Sequence, residues 1–323
     1  MLLLTILVLS TRSPENATHV LENWLRGGLP LVALALAAGL IISFGQIDIA
    51  SGSIFSLVGM IVLALMHRVG VTTAVIFSGI LIAWLTVILV YLLIYVLVVI
   101  CRIPALLCTL GLAFCAKSVS VVLQAYLQSG SMTVPVDNWI RVFGWSFLWI
   151  PVVIGALLFW RLFLDSGLYH VALGADAKSA ENARVLTRRV YFRGFLMSGV
   201  LVGLSSILFL VGFQKGGWQP STGWGEELFA IAGAVIGGCR ITGGRFEPVS
   251  IAIATILIVG VKDISGLFGS VELEYLLLGV GVIGVALLDF SDRFLTLFQR
   301  LADKIAGVRI ATFSRFSIQR NKR

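Results

Sequence analysis

The chain has 323 residues, of which 59% are apolar and only 12% are charged, and its formal net charge is +8. Soluble domains carry about 25% charged residues, so this composition excludes a soluble enzyme, a disordered chain and a fibrous chain. Much of the basic excess follows Asp289 or lies in Lys178–Arg193. Basic clusters beside apolar segments indicate the cytoplasmic ends of membrane spans rather than a nucleic-acid surface.

Long apolar runs without strict alternation predict spanning helices, because a helix satisfies its own backbone hydrogen bonds in lipid. About ten segments are predicted, several of them shorter than a full span of about 20 residues or interrupted by Gly. In chain order they are Met1–Ser10, Leu29–Phe44, Ser53–Met66, Val71–Ile100, Ala105–Leu127, Val142–Leu164, Gly194–Phe213, Leu228–Gly238, Pro248–Val261 and Tyr275–Leu288. The fold class is therefore an all-α polytopic membrane helical bundle with short or broken helices.

The first of these segments is too short to cross a membrane alone. Met1–Ser10 also lacks the basic start of a signal peptide. We expect it to be the end of a first span that begins upstream of Met1. The whole chain, residues 1–323, is predicted to form a single transmembrane domain with a polar loop at 165–193 and a basic tail at 290–323.

Lys and Arg predict the orientation of the bundle. With the amino end inside and alternating spans, the Lys- and Arg-rich segments fall in the cytoplasm and the acidic ones outside, with Arg68 as an exception. The expected cytoplasmic segments are Arg102, Lys178–Arg193, Arg240–Arg245 and the C-terminal tail. The expected external segments are Gln128–Asn138, Lys215–Glu227 and Asp263–Glu274.

Two segments in different halves share one pattern. Leu36–Gly59 and Ile231–Ala252 each have an Ala/Gly-rich apolar helix, a Gly-rich polar break and a second apolar helix. An internal repeat with broken helices points to a transport path, whereas the alternative is that two Gly-rich hairpins simply look alike. The break residues predicted to line a translocation path or gate are Gly45, Gln46, Asp48, Ser51, Gly237 and Gly238.

Two ionisable residues within apolar surroundings have open interpretations. Asp48 or Ser51 can cap the helix that follows, which we favour, or Asp48 can be a pathway or gate residue. Lys117, inside Ala105–Leu127, either lines a polar path or pairs across an interface, or else extends its long stem to a membrane surface.

The polar loop contains a predicted short helix. Gly174–Arg184 reads GADAKSAENAR, with Asp176 as the expected N-cap. Ala177, Ala180 and Ala183 recur at helical spacing, so they predict a thin face that suits docking into a groove of a soluble partner. The alternative is a solvated, Ala-rich connector.

No constellation in the sequence supports catalysis, metal binding or a cofactor. The chain has 3 His and 4 Cys without metal-ligand spacing, and it contains no phosphate-binding loop for ATP. The sequence therefore predicts no catalytic residues, no bound metal and no cofactor, and nucleic acid is not an expected partner.

Three stretches together resemble one family. Gly45–Ser53 reads GQIDIASGS, and Arg102–Gly111 reads RIPALLCTLG. The third stretch, Gln219–Arg245, contains QP at 219–220, EL at 227–228, AIA at 230–232, GG at 237–238 and GGR at 243–245, in the order of the family pattern. These resemble the permease subunits of ribose-type (monosaccharide) ATP-binding-cassette (ABC) importers over roughly Leu29 to Asp289, most of the chain. The sequence departs from the family pattern at Gln46, Ala50 and Phe246.

The resemblance implies a non-enzymatic permease subunit in the bacterial inner membrane, with a cytoplasmic C-terminus, that conducts a small sugar or sugar-like solute. It implies two cytoplasmic ATP-binding subunits, a second permease subunit in a homo- or heterodimer, a periplasmic solute-binding protein and membrane lipid as partners. It also implies that the polar loop is the ATPase-coupling helix. The coupling residues are then Gly174, Asp176, Ala177, Ala180, Glu181, Ala183 and Arg184.

The alternative function is a self-sufficient secondary transporter or channel for a small solute. Such a protein needs ionisable residues in the membrane for ion coupling, and only Asp48 and Lys117 stand out. The identity of the solute is open at the level of sequence.

Overall fold

The computed structural model describes residues 14–70, 72–127, 167–212, 218–267, 276, 279–280 and 283. The chain divides into two compact units, Met1–Tyr275 and Leu276–Arg323, and every contact described below lies within the first. In the second unit, the described residues are helical. The predicted segments Met1–Ser10 and Val142–Leu164 and the tail at 290–323 lie outside the described residues.

The described part of the chain is helical and includes both long and short helices. Nine α-helices are described: α1 Pro14–Ser43, α2 Ser51–Val69, α3 Thr73–Tyr95, α4 Ala105–Leu127, α5 Gly167–Ala175, α6 Ala177–Asn182, α7 Thr187–Gly212, α8 Glu226–Ile236 and α9 Pro248–Leu267. Each predicted apolar segment within the described ranges coincides with one of these helices, and α4 has the predicted bounds.

Several of these helices can cross a membrane. Within the described residues, four stretches are long and apolar enough: Ser51–Val69, Phe77–Ile100, Ala105–Leu127 and Thr187–Leu210. The apolar parts of α1 and α9, Gly28–Ser43 and Pro248–Lys262, are shorter. The fold is thus a polytopic helical bundle with short helices, as predicted.

The end of α3 differs from the uninterrupted helix that the sequence predicts. Val96–Ile100 forms a π-helical turn, and the amide of Ile103 donates to the carbonyl of Leu97 over 3.0 Å. Arg102 then adopts a left-handed backbone with φ 59°. Pro104 follows and has no backbone N–H to donate, so the helix ends here and α4 begins at Ala105.

The centre of the bundle is built from α1 and α7, which run antiparallel. Ser205 Oγ donates to the carbonyl of Pro30 over 2.6 Å, and Ser198 Oγ donates to that of Ala37 over 3.2 Å. α1 also packs against α8 and α9, while α2 packs against α3 and α4. Most of α7 is buried, whereas much of α3 and α4 presents apolar side chains outward.

A non-helical segment, Trp218–Gly225, precedes α8 and packs inside the bundle. Trp218 is 1% exposed, and its Nε1 donates to the carbonyl of Ser56 on α2 over 3.1 Å. Ser56 Oγ donates in turn to the carbonyl of Pro220 over 2.7 Å. Trp218–Glu227, part of the segment expected on the external side, thus packs along α2 rather than forming a free loop.

Candidate functional site

Three segments that are far apart in the sequence meet backbone to backbone at one end of the bundle. They are the break after α1, the end of α5 and the break after α8. The amide of Gly244 donates to the carbonyl of Ser43 over 2.9 Å. A β-carbon built on Gly243 would lie 2.7 Å from the carbonyl oxygen of Gly174 and 2.8 Å from the amide of Gly45. We call the contact of Gly45, Gly174, Gly243 and Gly244 the glycine junction.

Glycine is required at this junction for two reasons. Gly45, Gly243 and Gly244 have φ values of 74°, 89° and 81°, a region that L side chains rarely adopt. At Gly174 the reason is space, since a β-carbon there would overlap the carbonyl oxygen of Ser43. The sequence predicted Gly45 as a path residue and Gly174 as a coupling residue, and the structure brings the two into one contact.

The predicted cap of the loop helix is confirmed. The Oδ1 of Asp176 accepts from the amides of Lys178 and Ser179 over 2.9 and 3.3 Å, and its Oδ2 accepts from Ser179 Oγ over 2.6 Å. These hydrogen bonds hold the pKa of the Asp176 carboxyl below its usual value, with the Ser179 hydroxyl as the largest cause. The helix α6 therefore begins at a fixed position directly after α5.

The predicted docking face of the loop helix is wrong at Ala180. This side chain is 5% exposed and packs within the chain against Phe44, Leu173 and Val190. Ala177 and Ala183 are exposed. The helix has only 6 residues, so one of its sides must be used to fix it to the bundle and only the other remains free.

The end of α6 explains why Ala180 turns inward. The amide of Val185 donates to the carbonyl of Ala180 over 3.1 Å, and that of Arg184 donates to Glu181 over 2.9 Å. This pair of bonds is a Schellman motif, in which the residues at its two ends make an apolar contact. Arg184 occupies the left-handed position with φ 59°, where Gly is usual. Glu181 and Arg184 remain exposed.

Asp48 lies buried in the break between α1 and α2, with 5% of its surface exposed. Its Oδ1 accepts from the amide of Ala50 over 2.8 Å, and its Oδ2 accepts from the hydroxyl of Tyr91 on α3. α2 begins at Ser51 with Ala50 in the cap position and no side-chain cap bond. The favoured interpretation of Asp48 or Ser51 as a helix cap is therefore wrong, since Asp48 instead joins the break to α3.

A second buried carboxylate was missed by reasoning from residues alone. Glu227, in the first turn of α8, is 5% exposed, and its Oε2 accepts from the amide of Gly225 over 2.9 Å. Its carboxylate occupies the space that a side chain at Gly52 on α2 would need. Its signal in the sequence was a Glu at the start of an unusually short apolar helix, a position that also formed part of the family resemblance.

Lys117 contacts an aromatic ring that the sequence did not single out. Its Nζ lies 3.0 Å from the centroid of the Trp224 ring. Lys117 is about 18 Å along a helix about 35 Å long, near the middle of a span. A charged Lys there costs at least about 2.5–3.5 kcal/mol, and a desolvated cation–π contact returns about 2 kcal/mol. The cation–π contact thus offsets only part of the cost of placing the charge in the membrane, which favours an ammonium group that also faces water.

The other predicted path residues lie beside helix ends. Gln46 is half-buried, and its backbone N–H donates to the carbonyl of Ile41 over 3.3 Å, whereas Ser51 is buried at the start of α2. Gly237 ends α8 so close to α9 that a β-carbon would lie 2.5 Å from the Cα of Ile251. Gly238 has φ 97°. These glycines permit the break and carry no side chain, so any contact with a solute would be through their backbone groups.

Among the described residues, no group of three or more His, Cys, Asp or Glu side chains could hold a metal ion. The site therefore consists of a glycine junction beside the polar loop and of buried or half-buried polar side chains inside the bundle.

Comparison with known proteins identifies the family to which the chain belongs. The family model described as the permease component of branched-chain amino acid transport systems matches residues 20–286. The chain belongs to this family. The match includes the glycine junction and every described helix except the first residues of α1. The protein is the membrane permease subunit of an ABC importer, as the sequence resemblance implied.

Relatives of this permease carry more specific names. The galactofuranose transporter permease protein YtfT of Escherichia coli K12 is 28% identical over 313 residues, covering 92% of this chain and 90% of its own length. The autoinducer 2 import system permease protein LsrC of Yersinia enterocolitica is 25% identical over 253 residues, covering 72% of this chain. The chain spans 64% of the length of that LsrC. No solved structure gives a significant match.

Proposed function

We propose that this permease imports a small sugar or sugar-like solute and that the loop Gly174–Arg184 transmits ATPase-driven movement to both helix breaks. The observation that carries the proposal is the glycine junction. A displacement of α5 must move the backbone of Ser43–Gly45 and Thr242–Gly244, because these segments touch without intervening side chains. Close-packed contacts of this kind transmit displacement rather than absorb it.

The solute class is supported by the relatives. YtfT is named for galactofuranose and LsrC for autoinducer 2. The family description names branched-chain amino acids, which is the second candidate class. We favour the sugar class because a relative whose match covers 92% of this chain is named for a sugar.

The expected partners are two cytoplasmic ATP-binding subunits, a second permease subunit and a periplasmic solute-binding protein. We assign the docking surface for the ATPase to the exposed side of the loop rather than to Ala180. It comprises Ala177, Glu181, Ala183 and Arg184. Asp176 and Gly174 act as positioning residues, since one caps α6 and the other seats α5 on the junction.

The proposed topology has about ten spans, an inward-facing amino end and a cytoplasmic tail at 290–323. It is supported by the placement of basic segments at one end of the bundle. Gly174 meets Gly243 there, and Tyr95 Oη donates to the carbonyl of Arg188 over 3.4 Å. We further propose that residues 1–323 form a single permease domain whose loop at 165–193 is the coupling element.

The alternative of a secondary transporter or channel has less support. Asp48 is engaged by Tyr91 and Ala50, and Lys117 lies on Trp224, so neither is an isolated ion-coupling group in the part of the chain described. The matching family consists of permease components.

The proposal is tested by co-purification of the ATPase subunits with loop variants. Ala177→Trp and Ala183→Trp place bulk on the exposed surface, so we expect normal expression, loss of ATPase binding and loss of uptake. Val69→Trp, at an exposed position at the other end of α2, is the matched control and should bind the ATPase like the parent.

Ala180→Trp is expected to behave differently from both. Its side chain would enter the contact with Phe44 and Leu173, so thermal stability in detergent should fall together with ATPase binding. If Ala177→Trp and Ala183→Trp bind the ATPase and transport like the parent, the loop is not the docking surface.

A further inference from the structure

Trp224 is an exposed aromatic side chain on a firmly packed backbone. It is 57% exposed. Its neighbours Gly223 and Gly225 have φ values of 88° and 94°, and the amide of Trp224 donates to the carbonyl of Ser221 over 3.0 Å. A β-carbon on Gly223 would lie 2.5 Å from Phe55 Cδ1, so this turn is held tightly against α2. The indole is thus presented by a backbone that has little freedom to move.

The cation beside it belongs to a different helix. Lys117 Nζ from α4 lies over the indole at 3.0 Å from the ring centroid. Within the described residues, no carboxylate lies within ion-pair distance of this ammonium group, whereas Lys262 on α9 pairs with Glu226 at 2.8 Å. The hydrogen-bond donors of Lys117 are therefore available to an acceptor other than a protein carboxylate.

We propose that Trp224 and Lys117 form a solute-contact site inside the membrane, at which an uncharged hydroxylated ring is recognised during translocation. The indole provides a flat apolar surface for the C–H face of the ring, and the ammonium group donates hydrogen bonds to its hydroxyl oxygens. This inference rests on the proposed function, because it deepens the assignment of a sugar-like solute.

The chemistry of the pair favours this ligand over an amino acid. Lys117 would pair with the carboxylate of a zwitterionic amino acid, but neither Trp224 nor Lys117 offers an anion to its ammonium group, so one of its two charges stays unpaired at this site. A neutral polyol carries hydroxyl acceptors and an apolar ring face, and it leaves the charge of the site unchanged. The site thus selects for hydroxyl groups without binding an ion.

The first experiment tests whether the pair faces water. In a variant lacking Cys101, Cys108, Cys115 and Cys239, single cysteines are introduced by Lys117→Cys, Trp224→Cys and Val122→Cys. Val122 is the matched control on α4, since it is 66% exposed on a different side of that helix. A charged methanethiosulfonate reagent should label the first two at least tenfold faster than the control. Equal or slower labelling of both overturns the site.

The second experiment tests recognition. The complete importer, with its ATPase and binding protein, is reconstituted in vesicles and supplied with radiolabelled galactose, ribose or leucine. Trp224→Leu and Lys117→Met should each lower the maximal uptake of sugar at least tenfold, with unchanged ATPase co-purification. Trp224→Phe keeps an aromatic face and should retain at least a third of the parent rate.

The outcomes separate this inference from the proposed function. If the parent takes up leucine and neither sugar, the sugar proposal and the recognition site both fail. If the parent takes up a sugar but Trp224→Leu and Lys117→Met transport it at the parent rate, only the site is overturned. A sugar-importing parent with the losses described, together with selective labelling, supports both.

Discussion

The two helix breaks have the same order of elements but are held by different forces. The first, Phe44–Ala50, buries its polar and aromatic side chains: Asp48 bonds to Tyr91, and Phe44 packs among aromatic rings. The second, Gly237–Glu247, exposes its charges, and the Arg245–Glu247 ion pair has side chains about half exposed at 49% and 47%. The second break contacts the first mainly through glycine backbone.

The two breaks share a sequence pattern, but each is held in position in a different way. The first break is attached to α3 by a buried side-chain bond, so its position depends on the chemistry of particular side chains. The second break is located by close approach, so its position depends on volume. An exposed ion pair such as Arg245–Glu247 contributes little, about 0–1 kcal/mol, and does not fix the segment.

The largest expected effect comes from adding volume to the contact between the breaks. Gly174→Ala places a methyl group on the carbonyl oxygen of Ser43, so α5 must move away from the junction. We expect at least a tenfold loss of uptake and a lower melting temperature in detergent. Gly111→Ala, which has open space around it, is the control and should match the parent. Normal uptake by Gly174→Ala would show that the junction carries no movement.

A somewhat smaller effect is expected from the buried bond of the first break. Asp48→Ala leaves the Tyr91 hydroxyl and the Ala50 amide without a partner and should cost about 4 kcal/mol of stability. Asp48→Asn keeps an acceptor for Ala50 and a donor for Tyr91, so it should be mild. Chemical unfolding in detergent measures both, with Tyr91→Phe completing a double-mutant cycle. Additive effects in that cycle would contradict the bond, and loss of uptake by a stable Asp48→Asn would assign Asp48 to the path.

The smallest effect is a pH dependence beside the first break. His170 on α5 packs against Phe44 with ring centroids 5.1 Å apart, and burial together with Arg193 lowers the pKa of His170 from 6.5 to about 4. Between these values the unfolded chain binds more protons. The free energy of unfolding should therefore fall as the pH drops from 6.5 to 4, by about 3 kcal/mol, and no further from this group below pH 4.

The His170 contribution is isolated by comparing two variants. His170→Gln should remove most of this pH dependence of stability. His67→Gln, at an exposed position near the end of α2, should leave it unchanged. A parent whose stability is constant from pH 6.5 to 4 would contradict the burial of a neutral His170.

The sequence was sufficient to predict the class of fold and most helices. Apolar length and composition are local properties, so α4 was predicted with its observed bounds, and Asp176 was correctly predicted as a cap because the bond spans only a few residues. The π turn was not predicted, since one extra residue in Val96–Ile100 leaves apolar composition unchanged.

The candidate site was predictable only where it depends on local chemistry. Gly45, Gly237 and Gly238 were predicted as break residues, but the contact of Gly45 with Gly174 and Gly243 joins residues far apart in the sequence and has no periodic signature. The partner of Lys117 was missed for the same reason, because Trp224 lies in a turn outside any apolar run. Ala180 was misplaced because helical spacing shows which residues share a side, but not whether that side meets a partner or the same chain.

The shortness of α8 has a consequence for biogenesis. With 11 residues it is about 16 Å long, roughly half of the hydrocarbon thickness, and it begins with Glu226 and Glu227. The translocon cannot release such a segment into lipid as a span in its own right. It becomes stable only when Gly52 of α2 makes room for Glu227 and Lys262 of α9 pairs with Glu226. During synthesis, therefore, α8 reaches its final packing only after α9, which is translated later, has joined the bundle.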